Sequence, residues 1–273
     1  MRRSHALVAV LGLATWMLGS CSPALPPIRF APDGTDRDQI RRDIPLTDAE
    51  RTALTPESIR ALSQSQVDQI YVRLSSGPIP DGPFRGDLFF PRDANGHAPL
   101  SEVAGPLPSS LTHLGALKAE SLGRLFWRGK AFFKSQGILR NRIEDLLILK
   151  PLIGDTGTIQ KLTFDGQTTW LLFPAILSCG ESRFDPAVKS TVIDYSRGKE
   201  VEGYREIPDK LAGPEALNIR DEVRIIRPGF YLGRAYFGPK FGLNFTLIDP
   251  AVTRSLPLPA DVRTDCTGKP ATP

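Results

Sequence analysis

The chain is poor in the residues on which most enzyme chemistry depends. Of 273 residues, three are cysteine, three histidine and two methionine. Beyond the first 20 residues only His97 and His113 remain. Neither lies in an H-E-x-x-H pattern, so a zinc site would lack ligands. No serine sits in G-x-S-x-G, which removes the common hydrolase arrangement of nucleophile and oxyanion turn. No G-x-G-x-x-G follows a strand pattern and no P-loop is present, which disfavours nucleotide cofactors. No apolar run is long enough for a membrane-spanning helix, and no period of 20 to 50 residues recurs. Charge of one sign is also missing: 34 basic side chains face 30 acidic ones, and without Arg2 and Arg3 the balance is 32 against 30. The arginines are interspersed with acids instead of forming a run, so no nucleic-acid footprint follows. No cofactor and no metal are expected.

Turn formers, by contrast, are plentiful. Gly 24 and Pro 25, with 41% hydrophobic residues, fit many short strands around a sizeable core. The most organised stretch is 219–249. In it Phe241, Leu243, Phe245 and Leu247 alternate with Gly242, Asn244, Thr246 and Ile248, the period of two of a strand buried mainly on one face. Pro228-Gly229 and Gly238-Pro239 supply the reversals on either side of a strand from Phe230 to Phe237. Further strands are expected in Phe84 to Phe90, WRGKAFF, DLLILKPLI, TIQKLTF, TTWLLFPAIL and KSTVIDYS, about nine in all, with Asp165-Gly166 as a hairpin turn. Helices are expected only in the front half. Thr47-Asp48-Ala49-Glu50 is a capping-box pattern, and Ile59, Leu62, Val67, Ile70, Tyr71 and Leu74 form one apolar stripe behind Pro56. A second helical pattern covers 110–126. The expected fold is mainly β with N-terminal helices at 47–75 and 110–126 in a single β-rich domain over 47–273.

Residues 1–20 combine Arg2 and Arg3 with an apolar core from Ala6 to Leu18, the shape of a secretory leader. The leader ends in Leu18-Gly19-Ser20-Cys21, which resembles the lipobox of bacterial lipoproteins. That resemblance implies acylation of Cys21 and anchoring to a membrane. Ser22 stands where many inner-membrane lipoproteins carry Asp, which implies an outer-membrane protein facing the periplasm. Residues 21–46, rich in Pro, Asp and Arg, read as a tether. Cys179 and Cys266 are then left in a compartment that permits disulfides, and pairing is expected. The alternative is two free thiols, or a reactive Cys179; Glu181 beside it would raise the thiol pKa and argues against a nucleophile.

Several motifs resemble those of a known group. Trp127-Arg128-Gly129-Lys130-Ala131-Phe132, Asn141-Arg142-Ile143, residues 190–196, and Arg220-Asp221-Glu222-Val223-Arg224 with Pro228-Gly229-Phe230-Tyr231-Leu232-Gly233 resemble a family of uncharacterised bacterial envelope lipoproteins. The resemblance implies a β-rich domain and no particular activity. Architecturally the chain is similar to lipocalin-like barrels, in which a Trp at the mouth packs under a basic side chain. The expected fold is accordingly a lipocalin-like antiparallel β-barrel or half-barrel. In Phe230 to Phe237 the small Gly233 and Ala235 share a face with Tyr231 and Phe237, a spacing that leaves room for a ligand or for close packing. A hydrophobic or amphiphilic small molecule is the expected ligand, with Trp127, Lys130, Tyr195, Arg224, Tyr231 and Tyr236 as wall and polar handle. The alternatives are a structural envelope protein holding undetermined protein partners, and an enzyme using Asp194, Glu202, Asp221 and Glu222.

Overall fold

Side-chain capping fixes where the front-half helices begin. The computed structural model describes residues 27–90, 127–144, 146, 156–252 and 258–267. The expected leader, Cys21, His97, His113, the helical pattern at 110–126 and most of DLLILKPLI lie outside these residues. α1 (Arg37–Asp43) starts at Asp36, whose carboxylate accepts from the amides of Asp38 and Gln39. α2 (Asp48–Ala53) opens with the expected capping box: Thr47 Oγ1 accepts from Glu50 N at 3.1 Å, and Glu50 Oε2 accepts from Thr47 N at 2.8 Å. The stripe expected in one helix is divided between α3 (Pro56–Arg60) and α4 (Gln64–Val72). The break occurs because Ser63 forms a capping box of its own with Gln66, which starts a new helix within the apolar pattern. The stripe nevertheless stays on one side, with Ile59, Val67, Ile70, Tyr71 and Leu74 all buried.

The expected tether over 21–46 is contradicted in its described part, which packs on the body from Ile28. Ala31 N donates to Gln69 Oε1 at 2.8 Å, Arg73 Nη1 donates to Arg29 O at 2.9 Å, and Ile40 is buried. Composition concealed this, because Gln69 and Arg73 are polar groups buried on α4 that require backbone partners, and the extended segment supplies them.

Nine strands form among the described residues: β1 (Gly82–Phe89), β2 (Trp127–Phe133), β3 (Ile138–Ile143), β4 (Lys161–Phe164), β5 (Gln167–Glu181), β6 (Lys189–Asp194), β7 (Ile219–Arg227), β8 (Phe230–Phe237) and β9 (Lys240–Ile248). They pair antiparallel in the order β3-β2-β1-β9-β8-β7-β6-β5-β4. A further β3–β5 pairing closes the ring, so eight strands make an up-and-down barrel of the lipocalin-like kind and β4 flanks β5 outside it. The Asp165-Gly166 turn joins β4 to β5 with both residues at positive φ, 53° and 73°. Closure removes the edges of the eight barrel strands, and it takes the long β5 to reach both β3 and β6.

One face of the meander was expected to be buried, but both are. Phe84, Phe132, Leu139, Ile193, Val223, Tyr231, Phe245 and Leu247 fill the barrel interior. On the outer face Phe89, Ile226, Phe230 and Leu232 pack against the stripe of α3 and α4. The helix layer thus covers the β7–β8–β9 side, and polar residues on that side must find partners beneath it.

Candidate functional site

The antiparallel order places the starts of β2, β5, β7 and β9 and the ends of β1, β3, β6 and β8 at the same end of the barrel. Phe90, Trp127, Phe173, Ile219 and Leu243, all partly buried, pack on the interior cluster there. Trp127 reaches its place through two glycines. A bulge between Trp127 and Gly129, with Gly129 at φ 120°, turns the strand, and the indole lies where a Cβ on Gly86 would stand.

Just inside this end is a polar cluster closed off from water. Lys130, 2% exposed, faces Asn141 across the β2–β3 pair. Its ammonium donates to Tyr195 Oη at 2.6 Å, to Asp221 Oδ2 at 2.7 Å and to Asn141 Oδ1 at 3.0 Å, which uses all three protons. Asn141 Oδ1 also accepts from Trp127 Nε1 at 2.9 Å, and Asn141 Nδ2 donates to Tyr195 Oη at 2.9 Å. Tyr195 in turn donates to Asp221 Oδ2 at 3.2 Å. The rings of Trp127, Tyr195 and Phe245 stand 5.5, 5.3 and 5.2 Å from Lys130 Nζ. Burial pushes the Lys130 ammonium toward its neutral form, and the Asp221 carboxylate opposes this in part. Burial, reinforced by Asp221, raises the Tyr195 phenol well above its ordinary value. Asp221 Oδ1 has no hydrogen-bond partner among the described residues.

The opposite end is stoppered by the tail. Leu258 and Val262 belong to the interior cluster, Gly77 N donates to Thr264 O at 2.9 Å, and the expected Cys179–Cys266 disulfide joins β5 to the tail. Beside this stopper a cleft of about 220 Å³ is lined by Ile79, Phe84, Tyr231 and Val252 together with Asp249 and Asp261.

Of the six residues expected to bind a ligand, Trp127, Lys130 and Tyr195 come together. Tyr231 also faces the interior but at the tail end, with its ring edge-on to Phe84 at 5.4 Å. Arg224 and Tyr236 lie on the outer face, because β7 and β8 alternate and these positions point toward the helices. Arg224 is fully buried, donating to Asp185 Oδ2 at 3.0 Å, Ser190 Oγ at 3.0 Å, Tyr71 O at 3.1 Å and Val188 O at 2.8 Å. It holds α4 and the 182–188 loop to the barrel. The Tyr236 ring packs on Phe241 and under the Arg183 guanidinium.

The four carboxylates considered for catalysis do not converge. Asp221 is interior, whereas Glu222 is on the outer face, accepting from Ser182 Oγ at 2.6 Å and Arg183 N at 2.8 Å. Asp194 caps the following turn through Ser196 N. Glu202 is exposed, on the far side of β3 near Arg140. Asn141 and Phe245 were missed as members of the cluster. The signal for Asn141 was a polar residue between Leu139 and Ile143 in a segment that pairs opposite Lys130. Comparisons of the chain with protein-family models, curated proteins and solved structures found no match.

Proposed function

We propose that this protein is a lipid-anchored component of the bacterial envelope, on the outer membrane and facing the periplasm, whose barrel takes a hydrophobic or amphiphilic small molecule at the Trp127 end. One observation carries the proposal: a buried carboxylate oxygen, Asp221 Oδ1, has no donor among the described residues, in an interior ringed at that end by partly buried apolar side chains. Such an oxygen costs about 1–3 kcal/mol when left unmade, and more for a charged group. A ligand whose polar end donates a hydrogen bond there and whose apolar part lies against Trp127, Phe173, Ile219 and Leu243 would remove that cost. The sequence pattern at Cys21 supplies the anchor.

A second reading is a structural envelope protein with no ligand. It is favoured by Lys130, whose three donors are all satisfied within the chain. Native mass spectrometry of protein extracted from its own membrane separates the two. The ligand reading expects a co-purifying apolar molecule on the wild type, lost in Ile219→Glu. An empty wild-type barrel that also fails to take up a fatty acid or phospholipid would leave the structural reading. Fed palmitate is expected to label the wild type and not Cys21→Ser.

A further inference from the structure

Beneath Trp127 the groups needed to join two side chains are already assembled. We infer that Lys130 and Asn141 condense into a side-chain amide, an isopeptide bond that crosslinks β2 to β3 with release of ammonia. The inference does not depend on the ligand proposal, since a crosslinked barrel can be either empty or loaded.

The reaction needs an uncharged amine, a polarised carbonyl, a base, and a proton path to the leaving nitrogen, all shielded from water. Lys130 supplies the amine from a position 2% exposed, where charge is disfavoured. The carbonyl is the Asn141 side-chain amide, directly opposite in the β2–β3 register. Its Oδ1 already accepts from Trp127 Nε1 at 2.9 Å, so a fixed donor waits where negative charge would grow on attack. The base is Asp221, with Oδ2 2.7 Å from Lys130 Nζ. Tyr195 Oη completes the path, lying 3.2 Å from that carboxylate oxygen and 2.9 Å from Asn141 Nδ2. Holding amine and amide in contact on two paired strands replaces a collision by a unimolecular step, which is what makes so unreactive a pair feasible.

The balance closes without a further reagent. Asp221 takes one proton from the Lys130 ammonium, and Nζ attacks Cγ of Asn141. The oxyanion on Oδ1 is held by the indole N–H and collapses. The Cγ–Nδ2 bond breaks, and Nδ2 leaves as ammonia with a second lysine proton relayed through Tyr195. The products are an uncharged amide, one ammonia and a protonated Asp221, so the ion pair buried in the barrel is discharged.

Intact mass of the full-length folded protein, reduced and denatured before measurement, tests this directly. The expected wild-type mass is short by one ammonia, and fragmentation of a protease digest finds the peptide carrying Lys130 joined to the peptide carrying Asn141. Asp221→Asn and Tyr195→Phe are expected to crosslink roughly a hundredfold more slowly, with folding checked independently by formation of the Cys179–Cys266 disulfide. A folded wild-type chain with no ammonia deficit against the mass of its processed and acylated sequence would overturn the inference. So would a deficit that maps to other residues, or crosslinking in Asp221→Asn at the wild-type rate.

Discussion

Buried charge is handled differently on the two faces of the barrel, and individual residues reveal the difference. Arg224 is enclosed on the outer face, and each of its nitrogens has an oxygen to donate to. Asp185 is shared between it and Arg41 Nη1 at 2.6 Å. Arg224→Met removes the cation from a site built around it, leaving the carbonyls of Tyr71 and Val188 without that donor. Arg41 keeps Asp185 paired, so the cost is that of the buried acceptors left short of a donor, about 1–3 kcal/mol. Urea unfolding should show a loss of that size, while the folded remainder keeps any ligand that the wild type binds, because Arg224 faces away from the interior. The sequence named Arg224 as important and misjudged why. Alternation put Asp221, Val223 and Ile225 on one face and Glu222, Arg224 and Ile226 on the other, but nothing in the pattern says that helices cover the second face. Lys130 was named as a ligand contact and Asp221 as a carboxylate candidate; their contact was not legible, because 91 positions separate them and only barrel closure brings them together.

At the scale of elements, capping chemistry was the most readable feature and buried arginine the least. The Thr47–Glu50 box was visible in four residues. β3 was not, because Ile138 to Ile143 carries Arg140, Asn141 and Arg142 and so resembles a loop. In the barrel Asn141 turns inward to the Lys130 cluster, while Arg142 donates to Phe84 O at 3.0 Å and Arg140 to the main chain of Glu202. Partners of this kind cannot be read from periodicity. The Thr47–Glu50 box also ties α2 to the N-terminal segment. Arg29, which donates to Glu50 through Nε at 2.9 Å and Nη2 at 3.0 Å, together with the Thr47 amide, holds the Glu50 carboxyl down to about 2 from its ordinary 4.5. A depressed carboxyl stabilises the fold above its unfolded value and ceases to do so as pH falls through the folded one. Thermal melting of the wild type should therefore decline between about pH 4.5 and 2 by more than that of Glu50→Gln. Equal slopes would remove Glu50 as the source.

For the whole molecule, the disulfide matters through the stopper it secures. Cys179 and Cys266 are 87 positions apart, and closing a loop of that size is worth up to about 4 to 5 kcal/mol in the chain-entropy model. Cys266→Ser is expected to lower stability by an amount approaching that, and to do so unevenly. Amide exchange should speed up first at Gly77, whose N–H donates to the tail at Thr264 O, and only later at core amides such as that of Leu232. Uniform acceleration would instead place the tail inside the global folding unit.

The N-terminal segment has a further consequence. Because the chain packs on the helix layer from Ile28, acylation of Cys21, if the proposed anchor holds, would leave seven positions of slack, at most roughly 25 Å when pulled straight. Moored so tightly, the barrel would ride on the leaflet like a hull at a quay. Any molecule it exchanges would then be handed over at the bilayer surface, not carried across the gap between membranes.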